Sequence, residues 1–124
     1  MSKISIKYTL ENITTKDIIK NERKGILKNN QIIFFDDNIK VTIYLYSNKI
    51  KMTRQCDDYN LEMNFEKLLT INSFYDIKDI GVIDIKIKTL NLLIKSNQIF
   101  IEYKMYLDKE ANVFKYNLEY EVIE

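Results

Sequence analysis

The sequence predicts an all-β domain, a single antiparallel β-barrel of about eight to ten strands with little helix. Three observations carry that expectation. Apolar and polar residues alternate with a period of two along most of the chain. Short Asn- and Asp-rich steps interrupt the alternation at hairpin-like intervals. Helix evidence is confined to two short stretches that also read as strand. With many strands and no covering helices, closure removes the exposed sheet edges. A two-sheet sandwich is the structural alternative.

The strands follow in order. Ile4, Ile6, Tyr8 and Leu10 share one face, opposite Lys3, Ser5, Lys7 and Thr9. Thr14 to Lys20 reads as strand or as a helical turn opened by a Thr cap. Arg23 falls in phase with Ile19 and Leu27, and Asp36 with Ile32 and Phe34. Val41, Ile43 and Leu45 alternate with Thr42, Tyr44 and Tyr46. Ile50, Met52 and Arg54 share a face, as do Leu61, Met63 and Phe65. Glu66 to Ile71 is the second stretch that reads as either helical turn or strand. Ile83, Ile85 and Ile87 lead to the face of Ile99, Ile101, Tyr103 and Met105. Phe114, Tyr116, Leu118, Tyr120 and Val122 finish the pattern. Asn29-Asn30, Asp36-Asp37-Asn38, Ser47-Asn48, Asp57-Asp58, Lys78-Asp79, Ser96-Asn97 and Asp108-Lys109 supply the turns. Asn and Asp tolerate left-handed backbone and bond their own main chain.

Composition bounds what such a domain does. At 124 residues and 46% hydrophobic the chain suits one core, so residues 1–124 are expected to form one domain. Basic and acidic residues number 19 and 18, without the excess that phosphate binding demands, so nucleic acid is not an expected partner. Cys56 is the lone cysteine, and nothing points to an oxidising compartment. The amino terminus lacks the apolar run of a signal peptide and no stretch has the length of a membrane span. A cytoplasmic location without membrane contact is the expectation.

Enzyme signatures are missing. Histidine is absent, which removes Ser–His and Cys–His pairs and most transition-metal sites. The two glycines, Gly25 and Gly81, form no phosphate loop, and there is no paired-cysteine metal spacing. No cofactor and no metal are expected. Asp36-Asp37 and Asp57-Asp58 lack the spacing of a calcium loop and read as turn chemistry. A mechanism built on carboxylate, Lys or Tyr stays open, although a non-enzymatic role is the expectation.

Arg54 stands out because alternation places it on the apolar face with Ile50 and Met52. An inward arginine needs acceptors, since an unpaired buried charge is costly. It either anchors an anion at one end of the barrel or forms an internal ion pair at the mouth. Arg23 shares an inward phase, and Asp36 is the acidic residue placed to partner either one. Tyr8, Tyr103, Tyr116 and Tyr120 fall on inward faces, and Tyr75 joins them. They line a polar-rimmed cavity or simply fill the core. Tyr44 and Tyr46 face outward, toward a partner or toward cross-strand neighbours.

Several of these residues also carry a resemblance. The strand Lys49-Ile50-Lys51-Met52-Thr53-Arg54, then Phe65 and Tyr75, then Gly81 opening a strand to Thr89, are followed by Ile101-Glu102-Tyr103 and Leu118-Glu119-Tyr120. From Gly25 to near the carboxyl terminus the chain resembles the YwiB-like family of small uncharacterised bacterial proteins. Phe34-Phe35-Asp36 stands where that family tends to have Tyr and Glu. The resemblance implies a calycin- or lipocalin-like β-barrel and supplies no activity. The leading expectation is a binding barrel that holds a small molecule in its interior or mouth, near Arg54, Tyr103, Arg23, Tyr75 and Asp36. The alternative is a filled structural or protein-interaction module, with Tyr44 and Tyr46 meeting a partner or a second copy in a homodimer.

Overall fold

A computed structural model describes residues 1–107 and 109–123. Among the described residues the chain forms ten strands: β1 (Ser2–Asn12), β2 (Asp17–Lys28), β3 (Gln31–Asp36), β4 (Ile39–Leu45), β5 (Lys49–Gln55), β6 (Tyr59–Glu66), β7 (Thr70–Ile77), β8 (Gly81–Ile94), β9 (Gln98–Leu107) and β10 (Glu110–Val122). Each pairs antiparallel with the next, and β1 pairs with β10 from Ile4–Val122 to Asn12–Phe114. The barrel is therefore closed and the sandwich alternative falls away. Closure gives every strand a neighbour on both sides over part of its length, which suits a fold with no helix among the described residues to cover an edge. β2 runs past β3 from Asp17 to Lys24 with a ladder only to β1.

Turn chemistry explains most of the connections. Asn29, Asp37 and Asp79 take left-handed backbone, with φ of 54°, 57° and 67°, each at a doublet that announced it. Asp108, from the expected Asp108-Lys109 turn, lies outside the described residues. The stretch after β1 is not helical. Asn12 Oδ1 accepts the amides of Thr14 and Thr15 at 3.0 and 3.1 Å, so a side-chain-bonded turn leads straight into β2. The second ambiguous stretch, Glu66 to Ile71, is likewise not helical: it runs from the last residue of β6 through a three-residue connection, 67–69, into the first two residues of β7.

The two ends of the barrel differ. Toward the end that holds the β2–β3, β4–β5 and β8–β9 connections, the interior is solid: Ile4, Ile32, Ile43, Ile50, Phe65 and Leu118 are fully buried. Toward the other end the inward residues are only partly covered and several are polar. Gly25 on β2 sits between Ile4 and Phe34. A Cβ there would meet the Ile33 carbonyl oxygen at 2.5 Å, so β2 and β3 approach closely because this residue has no side chain.

One seam departs from the regular ladder. β6 and β7 pair only from Tyr59–Ile77 to Glu62–Phe74. Beyond that point the Asn64 amide donates to Ser73 Oγ at 3.1 Å. The β8–β9 register also shifts between Thr89 and Asn91. Main-chain bonds from Leu68 to Thr89 and from Thr89 to Leu69, 2.8 and 3.1 Å, fasten the β6–β7 connection to that bulge. Among the described residues no helix is long and apolar enough to cross a membrane.

Candidate functional site

The polar end of the barrel collects side chains that alternation alone had turned inward. Asp36 closes β3, Arg23 comes from the middle of β2, and Arg54 follows Met52 on β5. Arg23 donates Nε and Nη2 to Asp36 Oδ1 at 3.2 and 2.8 Å. Arg54 donates Nη2 to Asp36 Oδ2 at 3.3 Å. Tyr8 on β1 donates its hydroxyl to the same Oδ2 at 2.7 Å and accepts a bond from Asn21 Nδ2 at 2.9 Å. Asn21 faces Tyr8 directly across the β1–β2 ladder, which is why the two meet. Asp36 thus partners both arginines at once.

The electrostatics follow from this crowding. Burial by itself would raise the Asp36 carboxyl, but the bonds from Tyr8, Arg23 and Arg54 and the charge of Arg54 outweigh it and hold the group below the usual carboxylate range. Burial opposes the charge on Arg54, yet Tyr59 and Asp36 together raise its pKa above the ordinary value. Both groups stay ionised at neutral pH. Two guanidiniums share one partly buried carboxylate, so these three residues together keep one positive charge.

Beside this cluster lies a cup of about 340 Å³. Arg23, Asp36 and Arg54 form one wall, and Met52, Met63, Tyr103 and Tyr116 form the floor. Leu10, Ile19 and the exposed Asp37 stand at the rim. Tyr103 stacks on Phe114 at 5.2 Å and meets Phe65 edge-on at 4.9 Å, which fixes its ring. Tyr116 packs against Tyr8 at 5.7 Å. Burial pushes both floor hydroxyls well above the ordinary tyrosine value, so they are neutral groups at physiological pH.

A slightly larger groove, about 400 Å³, runs over the outward faces of β1, β9 and β10. It sets Lys7 among Glu119 and Glu121 on an open surface. The cup is the stronger candidate because its charged residues are partly buried, cross-bonded and set against an apolar floor.

Of the residues singled out from sequence, Arg54, Tyr103, Arg23 and Asp36 come together at the cup. Tyr75 does not line it. Its ring meets Tyr59 edge-on at 5.4 Å, and it supports the Tyr59 side of Arg54 from outside. Tyr120, also inward by alternation, lies at the opposite end and donates to the Ser96 carbonyl at 2.7 Å. Sequence reasoning missed Asn21 and Tyr59. Their parity carried the signal: Asn21 is in phase with Arg23, and Tyr59 with Leu61 and Met63. Tyr44 and Tyr46 lie under the ammonium groups of Lys51 and Lys49 at 4.5 and 5.0 Å, which are cross-strand and hairpin contacts on the outer wall.

The fold and the site define a closed, ten-stranded antiparallel barrel, filled at one end and hollowed into a charged cup at the other. A family model described as a domain of unknown function (DUF1934) matches residues 3–120, and the chain belongs to that family. Its fold is similar to that of the ywiB protein from Bacillus subtilis in its crystal structure, with a TM-score of 0.70 at 14% identity over 98% of this chain and 91% of that one. The YwiB-like resemblance in the residues and the likeness in fold agree. No curated protein matches the chain.

Proposed function

We propose that the protein is a non-enzymatic binding module whose cup holds one small molecule bearing a negative group, with Arg54 as anchor and Tyr103 below it. The observation that carries this reading is the incomplete use of Arg54. Arginine has five N–H donors; Arg54 directs one bond, at 3.3 Å, to Asp36, which is already held by Tyr8 and Arg23. Beyond Asp36 its one other side-chain acceptor among the described residues is the Tyr59 hydroxyl, so donors remain. A charged fork set beside an apolar, tyrosine-floored hollow is the usual makeup of a small-molecule site. The floor tyrosines favour binding over catalysis, because burial makes them poor bases and poor acids near neutrality.

Native mass spectrometry of the protein purified from its own host tests the reading. An added mass of small-molecule size is expected, and Arg54→Gln should lose it. Wild-type protein free of any added mass, and unresponsive to every anionic probe in solution, would overturn it. The same spectra report stoichiometry. They therefore also test the second reading, in which the exposed ring of Tyr46 meets a second copy and the barrel is a homodimeric interaction module.

A further inference from the structure

We infer that the molecule this cup accepts is a short monocarboxylate with an apolar body, inserted body first, its carboxylate meeting Arg54 near the mouth. The inference rests on the reading of the cup as a binding site and adds the charge, size and direction of the occupant.

Direction comes from the gradient of burial. Met52, Met63, Tyr103 and Tyr116 are all buried. The side chains of Arg23 and Arg54 keep 27% and 24% exposure. Apolar surface therefore lies deep and charge lies shallow. A carboxylate at the floor would lose its hydration without gaining a partner, whereas one at the mouth keeps water and gains a guanidinium.

Charge comes from the count of partners. Arg23 spends Nε and Nη2 on Asp36 and Nη1 on the Glu22 carbonyl. Arg54 meets Asp36 through one bond and has the Tyr59 hydroxyl beside it, and its remaining N–H donors suit a carboxylate, a charge-assisted acceptor that takes one or two bonds. Among Arg23, Arg54 and Asp36 one positive charge is in excess, offset only in part by the solvent-exposed Asp37 at the rim, so one negative charge on the occupant is matched and a second is not. A dianion such as a phosphate monoester would leave excess negative charge beside Asp36 and the rim residue Asp37.

Size comes from the floor. Beneath it Phe65, Ile101 and Leu118 are fully buried, so no tunnel continues into the barrel. At roughly 30 Å³ for a water-sized group, the cup of about 340 Å³ takes on the order of eleven non-hydrogen atoms. An eight-carbon acid fits; a sixteen-carbon acid does not.

The test is a titration of the full chain, followed by amide and methyl NMR shifts, with octanoate, octan-1-ol, octyl phosphate and hexadecanoate below its aggregation concentration. Octanoate should bind at least about tenfold more tightly than the other three, given the strength of a charge-assisted guanidinium–carboxylate pair. Shifts should centre on Met52, Met63 and Tyr103. Arg54→Gln should erase the preference for octanoate over octanol while octanol still binds, and Arg54→Lys should retain part of it. Equal affinity for octanoate and octanol in the wild type would overturn the carboxylate assignment and leave the cup standing as a site. Tighter binding of octyl phosphate or hexadecanoate would overturn the charge or the size assignment in the same way. If no probe shifts the cup residues while host-purified protein carries an added mass, this inference falls and the binding reading survives. If there is neither a shift nor an added mass, both fall.

Discussion

Arg54 reaches Asp36 through one bond of 3.3 Å, the longest of the four side-chain hydrogen bonds that converge on that carboxylate. Tyr8 and Arg23 hold Asp36 more closely, at 2.7 and 2.8 Å. Asp36 is therefore the centre of the cluster, and Arg54 is the member that exchanges its partner most readily. The contact also joins β3 to β5 across the intervening β4, which ties together strands that share no ladder.

A ranking of substitutions follows. Asp36→Asn leaves two partly buried guanidiniums facing each other without a counter-charge. Breaking a buried pair costs several kcal/mol, and with about a quarter of each guanidinium side chain exposed the loss here should be about 2 kcal/mol. Arg54→Gln leaves Asp36 bonded to Tyr8 and Arg23 and should cost less than about 1 kcal/mol. Urea midpoints at neutral pH measure both. Equal losses would make Arg54 a structural pin.

Acid should weaken the fold through the same carboxylate. The folded-state pKa of Asp36 is depressed below 3.8, so its contribution is present above that value and disappears as pH falls through the lower, folded value. Between pH 5 and neutrality Asp36 should add no pH dependence. A urea-midpoint profile in which wild type falls more steeply than Asp36→Asn below about pH 4 is the expected result.

Alkali should act through the floor of the cup. Tyr103 and Tyr116 have folded-state pKa values raised above 10.0, first of all by burial. For a raised acid group the stability is complete below the unfolded value and is lost as pH climbs past it, because only the unfolded chain can ionise. Each tyrosine contributes a slope of about 1.4 kcal/mol per pH unit, so the pair gives roughly 2.7 above pH 10. The tyrosinate absorbance of these two rings should appear together with unfolding. The double variant Tyr103→Phe, Tyr116→Phe should flatten the slope.

Much of this was legible in the chain because a strand's period of two places every inward residue without knowledge of the neighbours. Ile4 to Leu10, Ile50 to Arg54 and Tyr116 to Leu118 face as their parity dictates. The convergence of Arg23 and Arg54 on Asp36 was legible only in part. Parity turns each inward, but their meeting depends on the register of β2, and the Thr14–Lys20 stretch hid that register. Lys16 and Leu68 take left-handed backbone, with φ of 67° at both, without the Gly, Asn or Asp that usually marks such a position. Ladder closure between β1 and β10 joins the two ends of the chain, and no local pattern encodes it. The cup was equally hidden, because a hollow depends on how side chains from many strands fill a shared volume.

Gly25 offers a test of how tightly β2 is drawn against its neighbours. Gly25→Ala puts a methyl 2.5 Å from the Ile33 carbonyl oxygen and 3.0 Å from the Phe34 Cβ. Backbone cannot retreat there without lengthening the β2–β3 ladder, so a loss of at least about 2 kcal/mol is expected. Gly81 makes the contrast. It has open space around it and a φ of 112°, so Gly81→Ala should cost about 1–2 kcal/mol through backbone strain alone. Thermal melts of the two variants separate the causes. An unchanged melt for Gly25→Ala would show that β2 and β3 have room to part.

Thr89 gives the opposite sign. It is fully buried at the β8–β9 bulge, and its hydroxyl has no hydrogen-bond partner among the described residues, while its main-chain N–H and C=O are both taken by Leu69 and Leu68. The side chain therefore keeps a desolvated hydroxyl without return, at a penalty of roughly 1–3 kcal/mol. Thr89→Val keeps the β-branched shape that suits the strand and replaces the hydroxyl with a methyl. The fastening of the β6–β7 connection uses only main-chain atoms of Thr89, so it survives the change. Thr89→Val should raise the urea midpoint by the equivalent of about 1 kcal/mol. Thr89→Ala, which opens a small cavity, should lower it. A drop on Thr89→Val would mean that the hydroxyl has a water or side-chain partner in solution, and that the bulge is held by more than its main chain.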